Sequence, residues 1–387
     1  MKANRITLLV LSGCLVLALL GGSVAAKMGP REGSFRQALL FSEVFSLVVD
    51  NYVDPVDPEG LLEGALRGMM SGLDAQGAYL SPEEAARYRE APEAGPADPG
   101  VSVVKGYGAL VIVAVCAGSP AASEGLAPGD QIRRIDDRPL RDLSLAQAVR
   151  LLRGRPGTEV KLDVLKIRDG FQRAEVRLAR ALRTSPPHEV EVRDGVTVLH
   201  VRDLARISAD AVAADLERVA GSGTGKLLVD VRSVADGSPR DAAGLAGLFT
   251  TGDLLTLRDP SRREVETIRA PGPGNAWPGP IAVLANAGSA SGAEALAKIL
   301  QTRRGAIVYG EPTYGLGAEP RLFDLPDGSA LLLSATVWET AEGSTWNEEG
   351  IVPNRPIRST AKREEVDEDV LRKAIEDFAA LEAEKAA

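Results

Sequence analysis

The chain has 387 residues and a net charge of −9, from 45 lysines and arginines against 54 aspartates and glutamates. That length holds two or three domains with a sizeable core, and an acidic chain without a basic block argues against nucleic acid as a partner. Aromatic residues make up 4% of the chain while Ala, Leu, Val and Gly abound, which suits an ordinary α/β protein.

Lys2 and Arg5 precede an apolar run from Ile6 to Leu20, and small residues follow from Gly21 to Ala26. A basic start, an apolar stretch and a small-residue step read as a secretory signal, so the chain is expected to be exported to the periplasm or cell envelope. Left uncut, residues 6–26 would tether it to the inner membrane, although the run is short for a spanning helix. Leu11-Ser12-Gly13-Cys14 is similar to a lipoprotein cleavage box, but the apolar run continues past Cys14, which favours plain apolar filling. Cys116 is the one other cysteine, so the mature chain has no internal disulfide.

Residues 27–96 read as a helical segment. Ala38, Leu39, Phe41, Val44, Phe45 and Val48 mark one helical face, and Leu62, Ala65, Leu66, Met69 and Met70 a second. Ser81-Pro82 starts a third helix, with Ser at the cap and Pro at the first position. Prolines and glycines over residues 91–100 make a linker. Residues 97–183 then alternate as short strands with one helix, 144–153, among them: a small β-rich module.

From residue 184 to 362 strands and helices alternate. Strands are expected at 196–201, 226–231, 281–285 and 306–309, helices at 209–220, 240–249 and 292–301, and a hairpin at 318–337 around Pro326-Asp327-Gly328. The charged tail, 363–387, reads as a helix with a solvated face. The turn at 286–291 joins a buried strand to a helix. A serine there has an exposed hydroxyl beside helix N–H groups that favour an anion, the setting of a nucleophile. Ser289 and Ser291 equally suit a helix N-cap. His188 and His200 lie far from any cysteine pair, so no metal or other cofactor is expected.

Gly288-Ser289-Ala290-Ser291-Gly292-Ala293-Glu294, Gly310-Glu311-Pro312-Thr313-Tyr314 and Gly315-Leu316-Gly317 resemble the core motifs of the carboxyl-terminal processing peptidases, or tail-specific proteases. Tyr52–Pro55, Gly64–Met69 and Tyr79–Glu84 are similar to steps in that family's N-terminal part. Gly118-Ser119-Pro120-Ala121, Gly129-Asp130 and Leu152-Arg153-Gly154 resemble a PDZ domain. The resemblance implies an α/β multidomain protein: an N-terminal helical segment, a PDZ-like β-rich domain and an α/β peptidase-type core. It also implies a Ser–Lys dyad with Ser291 at the nucleophile's place and oxyanion donors at Gly237 and Gly292. The PDZ loop Gly100-Val101-Ser102-Val103 would take the carboxylate of an apolar C-terminus.

The departures bear on activity. The lysine's place is held by Leu316 and that of its orienting glutamine by Pro320. A serine needs a base, and leucine has no lone pair. Asp236 stands in the oxyanion turn, the wrong sign for stabilising a developing anion. Lys298 lies seven residues beyond Ser291 on the same helix, roughly 10 Å along the axis and out of reach. The expectation is therefore an exported, catalytically impaired member that binds extended or C-terminal polypeptide segments, alone or beside an active relative or adaptor protein. The alternative is an active endopeptidase with a displaced base.

Overall fold

The structure is a computed structural model that describes residues 31–90, 95–106, 108–168, 170–221, 223, 225–361 and 365–381. The expected signal or anchor, with Cys14, lies outside them. Among the described residues no helix is long and apolar enough to cross a membrane. The chain forms two compact units, residues 1–66 and 67–387. In the first, α1 (Arg31–Asn51) leads to the start of α2 (Pro58–Ser71). The apolar face marked on α1 is exposed at Leu39, Phe41 and Val44. Among the described residues of this unit, two helices supply no second layer to enclose it.

In the second unit, β1 (Ala78–Leu80) precedes α3 (Pro82–Glu90). The Ser81 N–H donates to Glu84 Oε2 at 3.1 Å while Ser81 Oγ accepts the Glu84 N–H at 3.4 Å, a reciprocal cap. A β-rich module follows: β2 (Val101–Gly106), β3 (Ala109–Val115), α4 (Pro120–Ser123), β4 (Gln131–Ile135), β5 (Arg138–Pro139), α5 (Leu145–Leu152), β6 (Glu159–Lys166) and β7 (Gln172–Ala179). Its antiparallel sheet runs β2-β3-β4-β6-β7, with β5 on β4. Leu110, Ile112, Ile132 and Leu162 from the strands pack on Leu145, Ala148 and Leu152 of α5. Residues 97 and 98, expected in the linker, are pinned to this module: Ala97 bridges to Gly154 and Asp98 to Ala181.

The core continues with β8 (His188–Arg193), β9 (Val196–Val201), α6 (Ala209–Val219), β10 (Leu227–Asp230), α7 (Pro239–Ala246), β11 (Asp253–Arg258), β12 (Glu264–Arg269), β13 (Ile281–Ala285), α8 (Gly292–Arg304), β14 (Ile307–Gly310), β15 (Ala318–Asp324), β16 (Ala330–Thr340), β17 (Arg355–Pro356) and α9 (Val366–Ala380). The main sheet runs β17-β14-β13-β10-β9-β8, parallel except for β8. Its central strands β10 and β13 are buried on both faces because both are covered. Leu227, Val229, Ile281 and Val283 meet α6, α7 and α8 on one side. Leu228, Ala282 and Leu284 meet Leu371, Ala374, Ile375 and Phe378 of α9 on the other. The charged tail expected as a solvated face is thus a second cover for the sheet. A separate sheet, β1-β16-β11-β12 with β15 on β16, joins the segment after α2 to the core.

Candidate active site

The site grows from the turn between β13 and α8. Asn286 ties it down: its Oδ1 accepts the Ser233 N–H at 2.8 Å and the Gly288 N–H at 3.0 Å. Ser289 is fully buried, donates through Oγ to the Val231 carbonyl at 2.9 Å and accepts the Asn286 N–H at 3.1 Å. Its hydroxyl is spent on the turn. Ser291 is half-buried and adopts φ 50°, ψ −108° immediately before α8. That conformation costs an L-residue on the order of 1–3 kcal/mol and persists only where its surroundings impose it.

Glu294 does the imposing. It is fully buried and its carboxylate accepts four hydrogen bonds: from the Ser291 N–H at 3.0 Å, Thr313 Oγ1 at 2.5 Å, the Gly315 N–H at 2.6 Å and the Leu316 N–H at 2.7 Å. Burial raises its proton affinity and the four donors oppose the rise. One oxygen, Oε2, takes both the Ser291 and the Leu316 N–H, so the backbones of these two residues are two hydrogen bonds apart. Gly315 has φ +95°, and a Cβ there would stand 2.7 Å from the Glu348 carbonyl oxygen. The Leu316 carbonyl accepts from Trp346 Nε1 at 3.2 Å. Its side chain packs against the apolar cluster of the β-rich module.

No lysine, histidine or carboxylate side chain hydrogen-bonds the Ser291 hydroxyl among the described residues. Burial lowers the proton affinity of Lys105 and Lys298, but their ammonium groups go elsewhere, to the Leu143 carbonyl at 2.5 Å and Gln301 Oε1 at 3.2 Å. His188 Nε2 pairs with Asp215 at 3.0 Å. His200 lies between Asp230, 3.2 Å from Nδ1, and Glu191, 3.1 Å from Nε2. Pro320 stands at a bulge of β15 opposite Ser334, whose buried hydroxyl has no partner. No group of three or more metal-ligating side chains occurs among the described residues.

The two residues expected to donate to an oxyanion are closed on each other. The Gly292 N–H donates to the Gly237 carbonyl at 3.3 Å, so that donor is occupied in this conformation. Gly237 has φ +93°, and a Cβ there would meet Leu204 at 2.9 Å. Asp236 is not the bare charge the sequence suggested. It accepts from Arg183 Nη1 at 2.9 Å and from Ser102 Oγ, with Arg153 3.7 Å away. Arg183 also binds Asp98, Asp203 and the Val101 carbonyl, so this one buried guanidinium, in the segment joining the two domains, ties together three carboxylates drawn from both.

The loop expected to take a peptide carboxylate is likewise engaged. The Gly100 N–H donates to Asp98 Oδ1 at 2.6 Å, Val101 is held through its carbonyl by Arg183 and Ser102 through its hydroxyl by Asp236, while Val103 follows on β2. Farther along β2 the Lys105 carbonyl accepts from Tyr314 Oη at 2.6 Å. A Cβ on Gly288 would meet Val113 of β3 at 2.9 Å, so the β2–β3 hairpin lies on the Ser291 turn. Sequence reasoning quoted Glu294 in the serine motif without giving it a role, and passed over Arg183. A capping-box signal, Ser291 followed three residues later by Glu294, could have found the first; nothing local marks the second.

A profile of peptidase family S41 matches residues 195–357, and a PDZ domain profile matches 111–166. The carboxy-terminal processing protease CtpA of Bacillus subtilis is 26% identical over 81% of this chain and 67% of its own length. A carboxyl-terminal-processing protease of Synechocystis is 32% identical over 64% of this chain and 59% of its own. Among solved structures, the photosystem II D1 C-terminal processing protease superposes with a TM-score of 0.60 at 22% identity, covering 82% of this chain and 92% of that one, a likeness of fold.

Proposed function

We propose that this chain, whose residues 195–357 match the peptidase family S41 model, is a carboxyl-terminal processing peptidase family member that binds extended or C-terminal polypeptide segments without hydrolysing them efficiently. The observation that carries the reading is Leu316. It stands where the family resemblance calls for the lysine, is tied to the same Glu294 oxygen as Ser291, and turns its side chain into an apolar cluster. The serine keeps its place and its strained turn, while the proton acceptor beside it is gone. Losing a triad-type base lowers turnover on the order of 10⁴–10⁶-fold. The PDZ domain fits recognition of polypeptide C-terminal segments. We further place the protein in the cell envelope, on the strength of Lys2, Arg5 and the apolar run that follows; cell fractionation with protease accessibility tests that part.

The test of activity is cleavage of an unfolded protein with an apolar C-terminus by the full chain in mild detergent. Wild type should be inert, and the double variant Leu316→Lys with Pro320→Gln should gain cleavage that Ser291→Ala abolishes. Cleavage by wild type that disappears in Ser291→Ala would show the alternative to be right, with a base from elsewhere. Binding of a free-carboxylate peptide ending Val-Ala-Ala separates a segment binder from a purely structural companion of an active relative.

A further inference from the structure

Two clefts meet along the last residues of β3. The larger, about 570 Å³, lies between Val115 and Cys116 on the PDZ side and His188, Glu189 and Asp203 on the core side. The smaller, about 220 Å³, runs on from it past Val113 to Arg232, and the two share Ala114, Val115 and Arg202.

The register of β3 shows what it offers there. Val115 faces Val101 of β2, and the Val101 carbonyl points away from β3, toward Arg183. Residues directly opposite in an antiparallel pair either exchange both hydrogen bonds or turn both away. The Val115 N–H and C=O therefore face away from β2 as well. On that side β4 pairs only with Leu110 and Val111, and Ile112 is completed by Asp130 and Gly129. Val113 is the extra residue of a bulge between the Ser102 and Val103 pairings. Among the described residues no backbone bond reaches Val113 or Val115 from the cleft side. The end of β3 is an unpaired sheet edge opening on a cleft, and unpaired edges template the addition of a strand. The outer edge of β2 is different, since its Val101 and Lys105 carbonyls are already held by Arg183 and Tyr314.

The cleft carries charges of both signs. Asp98, Asp203 and Asp236 share Arg183, with Arg206 3.7 Å from Asp203 Oδ2 and Arg153 3.7 Å from Asp236, while Glu189 and Arg202 line the wall. Asp203 is more than nine-tenths buried and its Oδ1 has no hydrogen-bond partner among the described residues. Burial and the neighbouring Asp236 push its proton affinity up, against Arg183 and Arg206. His188, across the same cleft, leaves Nδ1 without a partner too.

We propose that an extended polypeptide segment adds as a strand to Val113–Val115 in this cleft and sets a lysine or arginine side chain against Asp203. This deepens the binding reading above and rests on it, but it uses an edge other than β2 and needs no C-terminal carboxylate.

The probe is a pentapeptide blocked at both ends, acetyl-Thr-Val-Lys-Val-Thr-amide, with a norleucine counterpart in place of lysine. Binding to the full chain is read by fluorescence anisotropy and by amide hydrogen exchange. The lysine peptide should bind at least ~10-fold more tightly than the norleucine one, about 1.4 kcal/mol, and should slow exchange at Val115. Asp203→Asn should erase the preference, and Val115→Pro, which removes the outward N–H, should erase the binding. Equal affinity for the two peptides, protection at Val103 to Lys105 instead, or no protection with peptide at about 1 mM overturns the proposal. If the free-carboxylate peptide ending Val-Ala-Ala binds and the blocked lysine peptide does not, this site is wrong and the binding reading stands. If neither binds, both fall.

Discussion

Glu294 shows how a single side chain can hold the two loops of a site together. Its carboxylate gathers the Ser291 turn and the Gly315–Leu316 loop, and each donor it serves is buried or partly so. Glu294→Gln would keep one acceptor oxygen but turn an NH₂ group toward N–H donors. Leaving buried donors unpaired costs ~1–3 kcal/mol each, so a loss of ~2–4 kcal/mol in urea unfolding is expected, against less than ~1 kcal/mol for Ser291→Ala. An equal loss for both would mean that the turn does not depend on Glu294. His200 gives the pH counterpart. Burial opposes its protonation, but the hydrogen bonds to Asp230 and Glu191 and the Asp230 charge outweigh it, so its folded pKa is raised. The charged imidazole therefore stabilises the fold fully below the unfolded value, ~6.5, and that contribution fades as pH rises through the raised folded value. The gap in urea midpoint between wild type and His200→Gln should narrow from pH 6 to pH 9; a gap that widens would show that the ring is held neutral. The sequence makes Ser291 and Leu316 legible because motif order carries them. The fate of Asp236 was not legible, since its partner Arg183 is 53 residues away and local pattern says nothing of such a pairing.

At the scale of elements, α9 is the instructive case. Leu371, Ala374, Ile375 and Phe378 follow helical spacing and cover one face of the main sheet. The Lys226 ammonium holds its C-terminal end through the Phe378 and Ala379 carbonyls at 3.1 and 2.8 Å, and Tyr309 Oη reaches Asp377 at 2.9 Å. Phe378→Ala should cost ~3–5 kcal/mol and speed proteolytic removal of residues after 365; unchanged proteolysis would show that the helix docks without its aromatic anchor. The apolar stripe was present in the sequence, but dense acidic and basic residues around it made a solvated face the simpler reading. The parallel strands β10, β13 and β14 were legible because they are continuously apolar, which only a sheet covered on both faces requires. β11 carries a charge at each end of a short buried run, β12 mixes Glu264, Glu266 and Arg269 with few apolar residues, and β1 is too short to register as a period at all.

In the second unit as a whole, the PDZ domain and the core share a buried cluster of charges. Arg183 binds Asp98 from one side and Asp203 and Asp236 from the other, with its side chain and all three carboxylates nearly enclosed. Such a cluster adds little net stability over an apolar one, but removing one member leaves the rest uncompensated at a cost of ~3–5 kcal/mol. Arg183→Met should therefore destabilise strongly, and adding Asp98→Asn, Asp203→Asn and Asp236→Asn to it should recover much of the loss, because the penalty lies in the stranded carboxylates. The contacts at the far end, Tyr314 on Lys105 and Val113 on Gly288, are polar–backbone and van der Waals contacts that do not depend on this charge. In Arg183→Met, exchange at Gly100 to Ser102 should accelerate more than at Lys105. Uniform acceleration along β2 would mean that the domains part as one rigid face, and that the guanidinium is one contact among many in the joint. Graded acceleration would make Arg183 the hinge-side fastener and leave the hairpin resting on the Ser291 turn.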